Sequence, residues 1–378
     1  MKIGFDGRYA EGDLVGVGKY ITSLINQIAQ KNIKCFIFYS KKPKYPLTGK
    51  NISSKILSSL NRYTFEQISL PRALIKEKVD IYHALGNLGI PLVSPVPSIL
   101  TVHDIIPLMF PDYFRYSKYG LLSKYSYLFR LKTSLAKAKK IISVSEYTKK
   151  TLVEKLGVKP EKIKVIYSGA PEVNNQSPLL PSGLKEKEYI LNHGGIDVRK
   201  NLDRLIRAFA KVLKTKDLHA QASLKLVITG ENMRIEEELR KEIKILGISD
   251  AVVFPGYLSE DELWSLIRQA ACICYPSLIE GFGGPVLEGF AAGVPVITSN
   301  VSSLPEIAGG AAYLVNPENE DEIAEAIMKV TSDKQSLMLR NKETSERLIT
   351  KGKERVKQFS WEKTAEEVIR IYKETSNK

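Results

Sequence analysis

Nowhere in the 378 residues is there an unbroken apolar run of about 18–20 residues, so no membrane-spanning helix is expected. The chain enters a strand pattern directly at Met1-Lys2-Ile3-Gly4-Phe5, with no apolar signal segment ahead of it, and secretion is not expected. Three cysteines are too few for a disulfide framework. Two of them, Cys272 and Cys274, alternate within Ala271-Cys272-Ile273-Cys274-Tyr275, which reads as a buried strand. Two thiolates without neighbouring His or Cys make a poor metal site, and Cys35 stands alone. A reducing cytoplasm fits this usage. Short internal repeats and low-complexity tracts are also missing.

What is present is the composition of a globular protein, 43% hydrophobic and 26% charged, long enough for two domains. The formal charge of +14 is the one unusual global feature. A basic excess suits nucleic acid, an anionic membrane or anionic small substrates, and its position along the chain must decide.

Strand and helix patterns alternate throughout. Residues 2–5, 34–39, 79–83, 98–102 and 140–144 read as strands, and residues 18–29 as a helix. Short apolar runs separated by helical periods predict parallel sheets covered on both faces. From Pro171 to Glu188 periodicity fails, with Asn174-Asn175-Gln176-Ser177-Pro178 and Pro181-Ser182-Gly183, and the stretch reads as a linker. The pattern then restarts, with strands at 189–192, 224–229, 251–254, 271–275 and 294–298 and a helix at 202–213. The predicted domains are 1–172 together with a C-terminal crossover helix in 359–378, and 187–358. Ligands of such sheets bind outside the carboxyl ends of the strands, so functional residues should directly follow strands.

The segment Glu280-Gly281-Phe282-Gly283-Gly284-Pro285-Val286-Leu287-Glu288 carries the most information. It joins a strand to an apolar helix. Pro285 suits the first helical position, and the glycines let the backbone approach a ligand. The amides of Val286 and Leu287 are expected to point outward at the positive end of the helix dipole, a place for phosphate. Glu280 and Glu288 would face one bound molecule from different sides.

This segment resembles the retaining glycosyltransferases of the GT-B fold, specifically the large family 4, mannosyltransferase-like branch. The likeness continues through Ala291-Ala292-Gly293-Val294-Pro295-Val296-Ile297-Thr298-Ser299 and Leu304-Pro305-Glu306. It implies two Rossmann-like α/β domains facing one another. It also implies that Glu280 contacts the donor sugar and Glu288 the nucleotide ribose. Each carboxylate suits vicinal hydroxyls, since it accepts from both. In Gly194-Gly195-Ile196-Asp197-Val198-Arg199-Lys200-Asn201, Lys200 matches the family lysine that holds the donor diphosphate. The partner position, often arginine, is Gly195 here; either Arg199 substitutes, with Asn201 beside it, or the phosphates rely on Lys200 and the helix amides. Tyr257 and Leu258 resemble the base-contacting loop, and Gly230 and Glu231 lie at a similar strand end. In the first half, Gly16 and Gly18 resemble the family's glycine-rich loop. In Thr101-Val102-His103-Asp104-Ile105-Ile106-Pro107, His103 faces the donor sugar's reacting region by resemblance, and Asp104 is placed on the acceptor side. His83 and His193 also end strands, with weaker support, and His219 reads as surface.

The resemblance implies a metal-independent reaction with retention, without a cofactor beyond the sugar-nucleotide substrate. No Asp-x-Asp metal signature follows an early strand. Lys200, Arg199 and the helix amides would stabilise the leaving diphosphate. GDP-mannose is the expected donor, with UDP- or ADP-sugars as alternatives, and a glycan or lipid-linked acceptor is expected in cell-envelope polysaccharide synthesis. Between Tyr113 and Lys140 the chain carries Arg115, Lys118, Lys124, Arg130, Lys132, Lys137 and Lys139 among interleaved aromatics, with no acidic residue. That pattern reads as peripheral docking on an anionic membrane surface. A nucleic-acid binder would leave the paired glutamates unexplained.

Overall fold

The computed structural model describes residues 1–14, 16–110, 113, 120–173, 180–181, 183–215, 224–331 and 340–376. His219, residues 114–119 of the basic stretch and residues 174–179 and 182 of the linker lie outside that set. The chain divides into two compact units, Met1–Gly169 with Phe359–Lys378, and Ala170–Gln358.

The first unit is built on a parallel sheet of β1 Lys2–Asp6, β2 Lys34–Tyr39, β3 Ile52–Ile56, β4 Ile81–Ala84, β5 Ser98–Val102, β6 Lys140–Ser143 and β7 Ile163–Val165, in the order β3-β2-β1-β4-β5-β6-β7. Every residue of β4 and β5 is buried, which is why their sequences run apolar without alternation. The edge strand β3, Ile-Ser-Ser-Lys-Ile, is half exposed and carries no such signature, so the apolar pattern does not reveal it.

Helix Val17–Gln30 buries Tyr20, Ile21, Leu24, Ile25 and Ile28, an i, i+1, i+4, i+5, i+8 stripe that fixes its face toward the sheet. The C-terminal helix Trp361–Ser376 packs against it. The Trp361 ring lies 5.5 Å from that of Tyr20. The Tyr372 hydroxyl is 2.7 Å from Nδ1 of His83, whose Nε2 is 2.8 Å from the Thr101 hydroxyl. His83 is thus a buried fastener for the C-terminal helix.

The second unit is a parallel sheet of β8 Tyr189–Asn192, β9 Lys225–Ile228, β10 Val252–Val253, β11 Cys272–Tyr275, β12 Val296–Ser299 and β13 Tyr313–Val315, in the order β10-β9-β8-β11-β12-β13. Cys272 and Cys274 are buried in β11 as free thiols. Helix Leu202–Lys214 buries Leu202, Leu205, Ile206, Phe209 and Val212 on one face. Residues at the end of the predicted linker are already part of this unit: Leu184 is buried, and the Lys187 amide donates to the Gln269 carbonyl at 2.8 Å.

Strand order reverses between β8 and β11, and again, in the first unit, between β1 and β4. Such a reversal leaves a crevice outside the carboxyl ends of the two strands, because their connections leave in opposite directions.

Candidate donor site

The loops after β8 and β11 meet at that reversal. Lys200 and Glu280 come from the two loops and pair at 2.7 Å, both nearly excluded from water. The Glu280 carboxylate collects four donors. Oε1 accepts from Lys200, from the Tyr275 hydroxyl at 2.6 Å and from the Ser277 hydroxyl at 2.8 Å. Oε2 accepts from Nη1 of Arg199 at 2.7 Å. Lys200 also donates to the Tyr275 oxygen.

Burial alone would raise the Glu280 pKa, but Lys200 and Arg199 outweigh it and bring it down to about 2. Burial lowers the basicity of Lys200, and Glu280 opposes that shift. Each ion of the pair is the other's substitute for water. Tyr275, Ser277, Ser302 and Ser303 were not singled out from the sequence. Ser302 accepts from the Glu280 amide at 3.1 Å, and Ser303 donates to the Glu280 and Phe282 carbonyls at 3.0 and 2.7 Å. No spacing in the sequence marks these residues: Ser302 and Ser303 stand 21 to 23 residues from the atoms they hold, and Tyr275 and Ser277 lie within ordinary strand and turn composition.

Asn201 is buried. Its amide donates to the Pro276 and Pro317 carbonyls at 3.0 and 2.6 Å, and its oxygen accepts from Arg204. Its side chain therefore ties three loops together. Gly283, at φ +128, opens helix Gly284–Ala292 with Pro285 in the first turn. The Val286 amide departs from expectation. It donates to the Gly283 carbonyl at 3.1 Å, because the helix closes its first turn on the preceding glycine, so this amide is not directed outward. Val286 and Leu287 are buried, as is Gly281; Phe282, Gly284 and Pro285 are partly exposed.

Glu288 projects from the second turn, where its Oε2 is 2.6 Å from Nε2 of buried His193, the residue directly after β8. Gly194 follows, and a side chain there would meet Pro285 at 3.2 Å and Nζ of Lys200 at 3.5 Å. Gly230 packs its Cα side against Gly195, and its amide donates to the Gly256 carbonyl at 3.2 Å. Glu231 and Tyr257 are exposed and Leu258 is half-buried beyond the ends of β9 and β10. Among the described residues no three His, Cys, Asp or Glu side chains gather as a metal site.

In the first unit, Gly16 precedes helix Val17–Gln30 and its carbonyl accepts from the Tyr20 amide. Gly18 sits against the Tyr9 carbonyl, where a Cβ would approach to 2.9 Å. His103 ends β5. Its Nε2 donates to the Leu85 carbonyl at 2.8 Å, so Nδ1 carries the lone pair. Burial pushes its pKa down to about 4 against the opposing carbonyl contact, and the ring is neutral at pH 7. Asp104 caps the next turn by accepting from the Ile106 amide at 3.0 Å.

The structure corrects one part of the basic stretch. Arg130 points inward from helix Gly120–Lys137 and bonds buried Glu66, which Arg8 also reaches at 2.7 Å while it holds Asp6 at 2.6 Å. Arg130 is thus an internal counterion rather than surface charge. On the same helix Leu122, Tyr125 and Phe129 are 73%, 64% and 62% exposed. At 100° per residue they share one face with Lys132.

Residues 15–172 match the model described as Glycosyltransferase Family 4, and residues 181–355 that of Glycosyl transferases group 1. An uncharacterized glycosyltransferase of Methanocaldococcus jannaschii is 30% identical over 87% of this chain and 79% of its own length. The chain belongs to the family 4 glycosyltransferases. The O-antigen chain mannosyltransferase B of Escherichia coli is 26% identical over 99% of this chain and all of its own. Among solved structures, Anabaena HepE in complex with UDP and glucose superposes with a TM-score of 0.73 at 16% identity, covering 99% of this chain and all of that one. This glycosyltransferase therefore has the GT-B fold, two Rossmann-like units with parallel sheets.

Proposed function

We propose that this glycosyltransferase moves mannose from GDP-mannose to a glycan or lipid-linked acceptor, with retention at the anomeric carbon, in the synthesis of a cell-envelope polysaccharide. The observation that carries the donor site is the meeting of buried Lys200 and Glu280 with half-buried Arg199 at the reversal between β8 and β11, with Glu288 in the second turn of the helix that follows. The mannosyl reading is supported by the full-length likeness to the mannosyltransferase of E. coli.

Lys200 and Arg199 supply positive charge at a place sheltered from water, where charge on a leaving diphosphate is stabilised most. That role needs no metal ion. Glu280 holds both cations in place, and a carboxylate oxygen such as its Oε2, which accepts from Arg199, has acceptor capacity for a sugar hydroxyl as well. His103 enters as a neutral ring anchored through Nε2 and offers the Nδ1 lone pair to the reacting sugar or an acceptor hydroxyl. Reaction on one face, with a donor phosphate oxygen taking the acceptor proton, accounts for retention without a covalent intermediate; a trapped glycosyl-enzyme would overturn this. Gly16 and Gly18 are assigned to the donor, Asp104 to the acceptor side, and Gly230, Glu231, Tyr257 and Leu258 to the nucleoside. Peripheral docking on the inner face of an anionic membrane completes the proposal, supported by the exposed Leu122, Tyr125 and Phe129 stripe.

Thermal stabilisation by GDP, UDP and ADP tests the donor class, with Glu288→Ala alongside. A ligand at 100 times its dissociation constant adds roughly 2.7 kcal/mol. GDP alone is expected to stabilise the wild type, and Glu288→Ala to abolish the effect. Stabilisation by UDP or ADP alone would overturn the mannose assignment, and none by any nucleotide would overturn the donor site.

A further inference from the structure

His193 has no part in the donor site as assigned above, yet it is built into it. It is the first residue after β8, 1% exposed, and its Nε2 lies 2.6 Å from Oε2 of Glu288. A carboxylate oxygen only accepts, so Nε2 carries the hydrogen. The other ring nitrogen, Nδ1, is buried and has no hydrogen-bond partner among the described residues. The ring's polar contact is therefore the one to Glu288. A histidine whose purpose was to fasten the core would be bonded at both nitrogens, as His83 is. Here the ring is buried at a strand end and donates to a helix-borne carboxylate with an 18% exposed side chain.

We propose that His193 is a positioning residue for nucleotide recognition: by holding Oε2 of Glu288 it fixes the carboxylate in the rotamer that accepts from the ribose hydroxyls. The inference rests on the reading that Glu288 binds the ribose. Glutamate loses much rotamer freedom when it is ordered, and a carboxylate already held by a buried donor has lost that freedom before the nucleotide arrives. A carboxylate has about four acceptor positions, and His193 takes one, so the anchor and the ribose do not compete. The adjacent backbone adds to the rigidity, since Gly194 lies close enough to Pro285 that a Cβ would approach it to 3.2 Å.

The test measures dissociation constants for GDP and UDP, each against its 2′,3′-dideoxy form, in wild type, His193→Leu, His193→Gln and Glu288→Ala. Wild type is expected to prefer the ribonucleotide. His193→Leu should lower ribonucleotide affinity about tenfold and leave the dideoxy form unchanged, so the preference collapses. His193→Gln should restore most of it, because the glutamine amide supplies a donor. Glu288→Ala should lose the preference as well. Equal weakening of both nucleotides in His193→Leu would make His193 merely structural, and an unchanged preference would remove it from recognition; either result overturns the proposal. A preference that survives Glu288→Ala would overturn the ribose reading itself, as would the failure of both nucleotides to bind wild type. Should His193→Leu not fold, His193→Met takes its place with the same expected collapse of the preference, and equal weakening of both forms or an unchanged preference there overturns the proposal.

Discussion

Glu280 is a carboxylate whose ionisation has been transferred from water to two named cations. Its pKa of about 2, against the ordinary 4.5, means that the folded state binds its proton less readily than the unfolded chain. The stabilisation is therefore complete above pH 4.5 and is lost as pH falls through that window toward 2. Lys200→Met removes the larger opposing charge and leaves the carboxylate buried beside Arg199 alone. Breaking a buried pair in this way costs about 3 kcal/mol. The difference from wild type is expected to be full at pH 7 and to close as pH falls below 4.5, where protonation relieves the variant's unbalanced carboxylate. Denaturant unfolding at pH 7, 5 and 3 measures it. A gap that stays constant with pH would mean that Lys200 stabilises the fold by packing, not by neutralising Glu280.

The elements that hold this site differ in how plainly they are written. Central strands such as β4, β5, β8 and β11 are buried on both faces, so their apolar runs stand out from the flanking polar sequence. Edge strands β3, β7 and β13 are short or half exposed, and nothing in Ile52-Ser53-Ser54-Lys55-Ile56 separates a covered edge from a loop. The strand–turn–helix around Glu280 is legible because its glycines and Pro285 serve a local backbone need. Tyr275 and Ser277 are not, and His193 is marked in the sequence only as a strand end, because their importance arises from neighbours 3 to 95 residues away. Turn glycines can be ranked in the same terms. Gly230 sits at φ +114, and a Cβ there would come within 2.6 Å of Gly195 Cα, a backbone atom that cannot step aside. Gly247 also has positive φ, +71, at the end of helix Met233–Leu246, but faces open space. Gly247→Ala should cost about 1 kcal/mol and Gly230→Ala at least twice that. At about 2–4 °C per kcal/mol, the two melting curves should separate by several degrees. Coincident curves would show that the loops after β8 and β9 have slack to move apart.

At the scale of the molecule, the charge of +14 needs a location before it has a meaning. No helix among the described residues is long and apolar enough to cross a membrane. Helix Gly120–Lys137 instead presents Leu122, Tyr125 and Phe129 outward in one line, with Lys132 on that line and Lys137 exposed at its end. Three large apolar side chains at i, i+3 and i+7, facing away from the core, gain nothing from the fold. They gain on entering the headgroup boundary of a bilayer, where cations gain as well. The two contributions respond to different variables. Each lysine near an anionic surface contributes about 1 kcal/mol, screened by salt; the apolar stripe is indifferent to salt. Lys132→Ala with Lys137→Ala should therefore weaken sedimentation with anionic vesicles at low salt and matter little at high salt. Tyr125→Ser with Phe129→Ser should weaken it at both. Arg130→Ala should instead lower stability, since it leaves the buried Glu66 carboxylate with Arg8 alone, which Asp6 already shares. Wild-type protein that ignores anionic vesicles at low salt would sink membrane docking, and the exposed stripe would then need a protein partner to explain it.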